Sequence, residues 1–211
     1  MSTFLDVEFR TGPRTAPDPV RAHGAWIFLF AAIGAGSMAG SRGRVEPALI
    51  VGTGFVGAFL CRAALAVGLR RKVRQLIVGA AVAILAHFAA HLLGAPSSYL
   101  YVAALATVPA VGAVVSSERY GFLSTTALTA GIAALTLAAP AAAVAGGASL
   151  IRAAGLYGLL WPFFTWRSLR IAAALKSGER WTVEELKSRG LHEAAAAALW
   201  ALGSVALLGI L

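Results

Sequence analysis

The chain has 211 residues, of which 59% are apolar and only 13% charged. A soluble domain of this length carries roughly a quarter charged residues, so that class is excluded, and a mean hydropathy of +0.78 agrees. The net charge of +9 sits in short loops at the ends of apolar runs, the pattern of topology signals and lipid headgroup contacts, which excludes a nucleic-acid partner.

Residues 1–21 come first. They hold Pro13, Pro17 and Pro19 with mixed charge and lack the apolar stretch of a signal peptide, so they read as a cytoplasmic tail. Residues 22–211 read as one transmembrane helical domain, because no stretch between apolar runs is long enough for a second core. Seven spans are expected, at roughly 23–40, 46–68, 75–94, 99–115, 122–139, 150–169 and 193–211. Backbone groups in lipid must be satisfied internally, which leaves helices or a barrel. The Ala, Leu and Val runs do not alternate as barrel strands do. The fold class is therefore an all-α polytopic bundle.

The first span begins "AHGAWIFLF" and ends in Gly36-Ser-Met-Ala-Gly40, a small-xxx-small pattern that lets helices approach closely. Gly52, Gly54 and Gly57 crowd the second span, which also carries Cys61, a lone packing residue, and Arg62. In the third, His87 and His91 share a face at i, i+4. They are weak metal candidates, since no carboxylate in the spans completes a ligand set, and no cofactor is implied. Thr125, Thr129 and Thr136 form a hydroxyl stripe on the fifth span, and Tyr157, Trp161, Pro162 and Trp166 mark a kinked aromatic sixth. Between the sixth and seventh, Thr182 and Glu185 have capping-box spacing and Gly190 can end a helix. A short helix lying on the cytoplasmic surface is expected there.

Lysines and arginines set the orientation. Arg70, Arg71, Lys72, Arg74 and Arg119 lie on one side, with Arg167, Arg170, Lys176, Arg180, Lys187 and Arg189. The loops on the other side hold only Arg42 and Arg44, with Arg152 at the start of the sixth span. The N-terminus is expected inside and the C-terminus outside.

Ionisable groups in spans are costly and face the bundle interior or mark a site. Near the cytoplasmic face stand His23, Trp26, Arg62, Glu118, Arg167, Arg170, His192 and Glu193. Arg62 lies about six residues, roughly 9 Å, inside its span. Two readings of it stand side by side. Its head reaches the headgroups by snorkelling, or it lines a cationic pocket with His23 and Arg167 that suits phosphate, diphosphate or carboxylate. Glu118 or Glu193 offers a partner for a purely structural ion pair.

His23-Gly24-Ala25-Trp26, entering the first helix before a glycine-rich end, resembles the signature of the YwiC-like family of bacterial membrane proteins. The basic end of the second span and "ELKSRGLHEA" are similar too. The resemblance implies a multi-pass protein of the bacterial inner membrane, linked to respiratory or energy metabolism, with no established activity to carry over. A more distant likeness is to the UbiA prenyltransferases, which bind an anionic group at the cytoplasmic ends of helices two and six through Asp-rich, Mg²⁺-binding motifs. Here "CRAALAVGLRRKVR" and "WRSLRIAAALKSGER" stand at those places, with arginines instead of acids. The departure speaks against metal-assisted prenyl transfer and leaves direct arginine capture of an anionic headgroup.

Three functions follow as expectations. The first is a non-catalytic protein that binds a lipid, quinone or anionic small molecule, or serves as an accessory subunit to a membrane partner. The second is a degenerate UbiA-like transferase acting on an isoprenoid or lipid. The third is a small transporter.

Overall fold

The computed structural model of the chain describes residues 23–40, 44–67, 69–177 and 183–210. The expected N-terminal tail, Trp181 and the capping Thr182 lie outside the described residues. Nine helices and no strand occur among those described: α1 His23–Ala39, α2 Val45–Val67, α3 Leu69–Leu92, α4 Ser98–Leu105, α5 Thr107–Tyr120, α6 Thr125–Thr136, α7 Ala138–Ala145, α8 Leu150–Lys176 and α9 Val183–Ile210.

Two pairs of helices are single rods with a one-residue break, at Ala106 and at Leu137. Each break has the same cause. Pro109 and Pro140 stand three residues after the breaks. Proline lacks the N–H that would reach the carbonyl four residues back, and its ring crowds that carbonyl. The chain resumes helix at once, because both break residues keep helical dihedrals. α8 meets the same problem at Pro162 and runs on unbroken. There the Trp200 indole of α9 donates to the Leu159 carbonyl at 2.8 Å, a neighbour's donor at the turn that proline disturbs.

Five units are long and apolar enough to cross a membrane: Val45–Arg62, Val73–Leu92, Ser98–Tyr120, Thr125–Ala145 and Ser188–Gly209. This fits a multi-pass membrane protein. α1 is apolar but shorter, at 17 residues, and α8 carries Arg152, Arg167 and Arg170.

The α6–α7 rod is central. Its apolar stretch is 78% buried, against 11% for the α4–α5 rod. α7 is alanine-rich and packs on α1, α2, α4 and α8. Small residues permit this closeness. A Cβ on Gly36 would run into the Ala139 backbone, and Gly40 lies against Gly146. The same logic joins α2 to α3, where a Cβ on Gly57 would stand 2.6 Å from the Ala83 nitrogen and one on Gly79 2.9 Å from Cys61 Sγ. The faces turned away from the core carry Ile77, Ile84, Leu85 and Phe88 of α3, Val108 and Val111 of α5, and Leu199 of α9, all exposed. Such a belt is stable only in an apolar solvent.

The loops sort into two ends. At one, Gly40 meets Gly146, and Arg44 donates to the Gly94 carbonyl at 3.2 Å. Gly94, at φ +75°, closes α3 there, with the Ala95 amide bonded to the Ala90 carbonyl. The α2–α3, α5–α6 and α8–α9 connections form the other end, where most Lys and Arg lie.

One expectation is corrected. Among the described residues no separate surface helix precedes the last span, because α9 is continuous from Val183 to Ile210. Gly190 keeps a negative φ and does not stop it. A single glycine costs a helix about 1 kcal/mol. Two contacts bridge the position: His192 Nδ1 lies 2.7 Å from the Ser188 carbonyl, and Glu193 is held by Arg167. The 28 residues of α9 span about 42 Å, more than the ~30 Å hydrocarbon core. Its first turns therefore project past the apolar region.

Candidate functional site: a cavity between two helical hairpins

α2 and α3 form one antiparallel pair, α5 and α6 another. Where the two pairs meet lies a cavity of about 210 Å³. Gly54, Phe55, Ala58, Phe59 and Arg62 line it from α2 and His87 from α3. Ala103 and Ala106 close it at the end of the α4 segment, Thr107 and Ala110 from α5, and Gly131, Ala134 and Leu135 from α6. Gly54 and Arg62 are eight residues apart, so the cavity runs about 12 Å along α2. The alanines and glycines leave its volume unfilled. Ala58 and Thr107 on its wall are exposed, which opens it sideways between α2 and α5.

Arg62 sits at the end of the cavity nearer the basic loops. Its Nε is buried and has no hydrogen-bond partner. Its Nη2 reaches across to α6, 3.7 Å from where a Cβ on Gly131 would stand. Gly131 is six residues into α6, so the guanidinium stays at depth rather than stretching along α2 to the loops.

His87 marks the other end. Its ring stacks on Tyr99 with centroids 5.7 Å apart and 20° between planes. The buried Tyr99 hydroxyl donates to the His87 backbone carbonyl at 3.1 Å, so one residue fixes both ring and main chain. The imidazole edge faces α2 at Gly54, whose Cβ would be 3.5 Å from Nε2. His87 Nδ1 is buried without a partner. The Thr107 hydroxyl is used locally, donating to the Ala104 carbonyl at 2.7 Å.

The expected site residues disperse. His23 is the first residue of α1, and its side chain lies outside those described. Trp26 backs the cavity. Its ring packs edge-on against Phe59 with centroids 4.8 Å apart, while it also lines a groove between α1 and α9. Arg167 does not join Arg62. Its Nε and Nη2 donate to the two Glu193 oxygens at 2.6 and 2.5 Å, and this bidentate pair ties α8 to α9. The exposed Arg170 covers the Trp166 ring, 5.2 Å from its centroid. Glu118 and His192 are exposed. Arg62 and Arg167 therefore do not share the expected cationic pocket, because Arg167 is taken by a carboxylate on α9.

His87 and His91 separate in role, His87 in the cavity wall and His91 exposed. No group of three or more His, Cys, Asp or Glu that could hold a metal occurs among the described residues. The cavity wall holds one cation, one imidazole and one hydroxyl amid apolar surface, and no carboxylate. Small-molecule sites have this composition, apolar walls with a few convergent polar groups.

No family model, characterised protein or solved structure matches this chain.

Proposed function

We propose that this is a membrane protein that binds a small amphipathic molecule in the cavity between α2–α3 and α5–α6, with the Arg62 guanidinium as the anchor for its polar head. The observation that carries the reading is the Arg62 Nε, buried and unpartnered at the end of an apolar cavity. Arginine does not deprotonate in proteins. A buried donor left unpaired costs about 1–3 kcal/mol, and a ligand with an anionic or strongly accepting head removes that penalty. Apolar walls and the opening between α2 and α5 suit a tail.

All seven rods cross the membrane in this reading, with the basic loops on the cytoplasmic side. The likeness to the YwiC-like family supports it at one point, since Trp26 of the His-Gly-Ala-Trp motif backs the cavity wall through Phe59. The absence of carboxylates from the wall weighs against a UbiA-like, metal-assisted transfer.

The test is to purify the protein in a mild neutral detergent and identify retained small molecules by mass spectrometry. Arg62→Leu and Gly131→Val, which fills the cavity beside the guanidinium, should each lose the retained amphiphile. Identical small-molecule content in all three proteins would overturn the reading. A retained polyprenyl diphosphate would favour the transferase, and a copurifying polypeptide the accessory subunit.

A further inference from the structure

Charge and volume narrow the ligand class, on the premise that the cavity binds an amphiphile at all. We propose that the ligand is a single-tailed monoanion, a long-chain carboxylate, whose head closes on Arg62 and whose chain leaves between α2 and α5.

Arg62 is the one permanently ionised group in the lining. One negative charge neutralises it. A phosphate monoester or diphosphate would bring a surplus of negative charge into walls made of alanine, glycine and phenylalanine. No carboxylate lines the cavity to hold a metal that would absorb that surplus. Geometry points the same way. A guanidinium matches the planar carboxylate with two parallel hydrogen bonds, and Arg62 has its Nε free for one of them.

The cavity of about 210 Å³ equals the liquid volume of about seven water molecules. That holds a carboxylate and a few methylenes. The rest of a long chain must pass out into the apolar surroundings, and the exposed Ala58 and Thr107 flank the exit. A two-tailed phospholipid would have to bring its phosphate and glycerol into that space and pass two chains through the same exit.

The experiment uses the full chain in nanodiscs of phosphatidylcholine, whose headgroups carry no net charge. Four probes are compared by their effect on the thermal unfolding midpoint: laurate, 1-dodecanol, dodecyl phosphate and acetate. Laurate should stabilise the protein most, because bound ligand raises stability by mass action. Loss of a charged hydrogen-bonded anchor should weaken laurate binding at least about tenfold in Arg62→Leu. Gly131→Val keeps the charge and should weaken it by occupying the space.

Equal stabilisation by dodecanol would overturn the proposal, because charge would play no part. Tighter binding of dodecyl phosphate would show that the charge count is wrong. An equal effect of acetate would remove the tail. If no probe binds while the purified protein retains an amphiphile that Arg62→Leu loses, this inference fails and the broader binding reading stands. If no probe binds and nothing is retained, both fail.

Discussion

Two partly buried arginines meet opposite fates, and the difference is the nearest carboxylate. Arg167 finds Glu193 in a bidentate pair whose side chains are 19% and 20% exposed. Arg62 has no such acid in its cavity. Removing one member of a buried pair strands the other charge, at about 3–5 kcal/mol, whereas exposed pairs contribute less than about 1 kcal/mol. This pair lies between those limits. Glu193→Gln should therefore destabilise the protein by about 2 kcal/mol. The double variant Arg167→Met with Glu193→Leu should recover most of the loss, since neither charge is then stranded. Thermal unfolding in detergent measures both. A double variant no more stable than the single one would show that the pair is a positive contributor, not a satisfied liability.

Helices meet here through glycine, and each glycine can be sorted by what a methyl group would strike. At Gly36 it would run into the backbone of α7, and at Gly57 into that of α3. Backbone cannot rotate away, so Gly36→Ala and Gly57→Ala should each destabilise by about 1–3 kcal/mol, the range for overpacking. Gly203, in α9, has nothing within 4 Å. Gly203→Ala should be neutral or stabilising by up to about 1 kcal/mol, because alanine is the better helix former. Urea or thermal unfolding of the three variants checks the ordering, and equal losses at all three would refute the packing account. The rods themselves were readable from runs of apolar residues, and so was Gly36…Gly40 as a contact. The breaks at Ala106 and Leu137 have a signal too, a proline three residues downstream in each case, although hydropathy runs on through both. The continuity of α9 was not readable. Its glycine is the usual stop, and the contacts that bridge it, His192 with the Ser188 carbonyl and Glu193 with Arg167 on another helix, are not visible in the local pattern.

At the scale of the molecule, what the residues alone leave open is rotation. α1 and α2 are apolar on every side, so their sequences do not say which face turns inward. Arg62 stands out in the sequence as a cation inside its span, able to snorkel or to line a pocket, but its company depends on that rotation. It turns toward α5 and α6 and shares a cavity with His87, while Arg167 pairs with Glu193 instead. Sidedness, in contrast, rests on loops alone and can be tested without the cavity. The loop after α3 belongs to the end holding Arg44, and the α5–α6 connection to the basic end. Cys61 is the single cysteine, and its thiol faces the Leu76 carbonyl of α3 at 3.5 Å. In a Cys61→Ser background, the exposed positions Ser97 and Arg119 are each replaced by cysteine. A membrane-impermeant maleimide applied to right-side-out vesicles should label Ser97→Cys and spare Arg119→Cys, with the pattern reversed in inside-out vesicles. That outcome follows because loops rich in Lys and Arg are retained on the cytoplasmic side during insertion. Labelling of both from one face would mean that Ser98–Tyr120 does not cross. Labelling of Arg119→Cys alone in right-side-out vesicles would invert the molecule and place the Arg62 end of the cavity toward the outside.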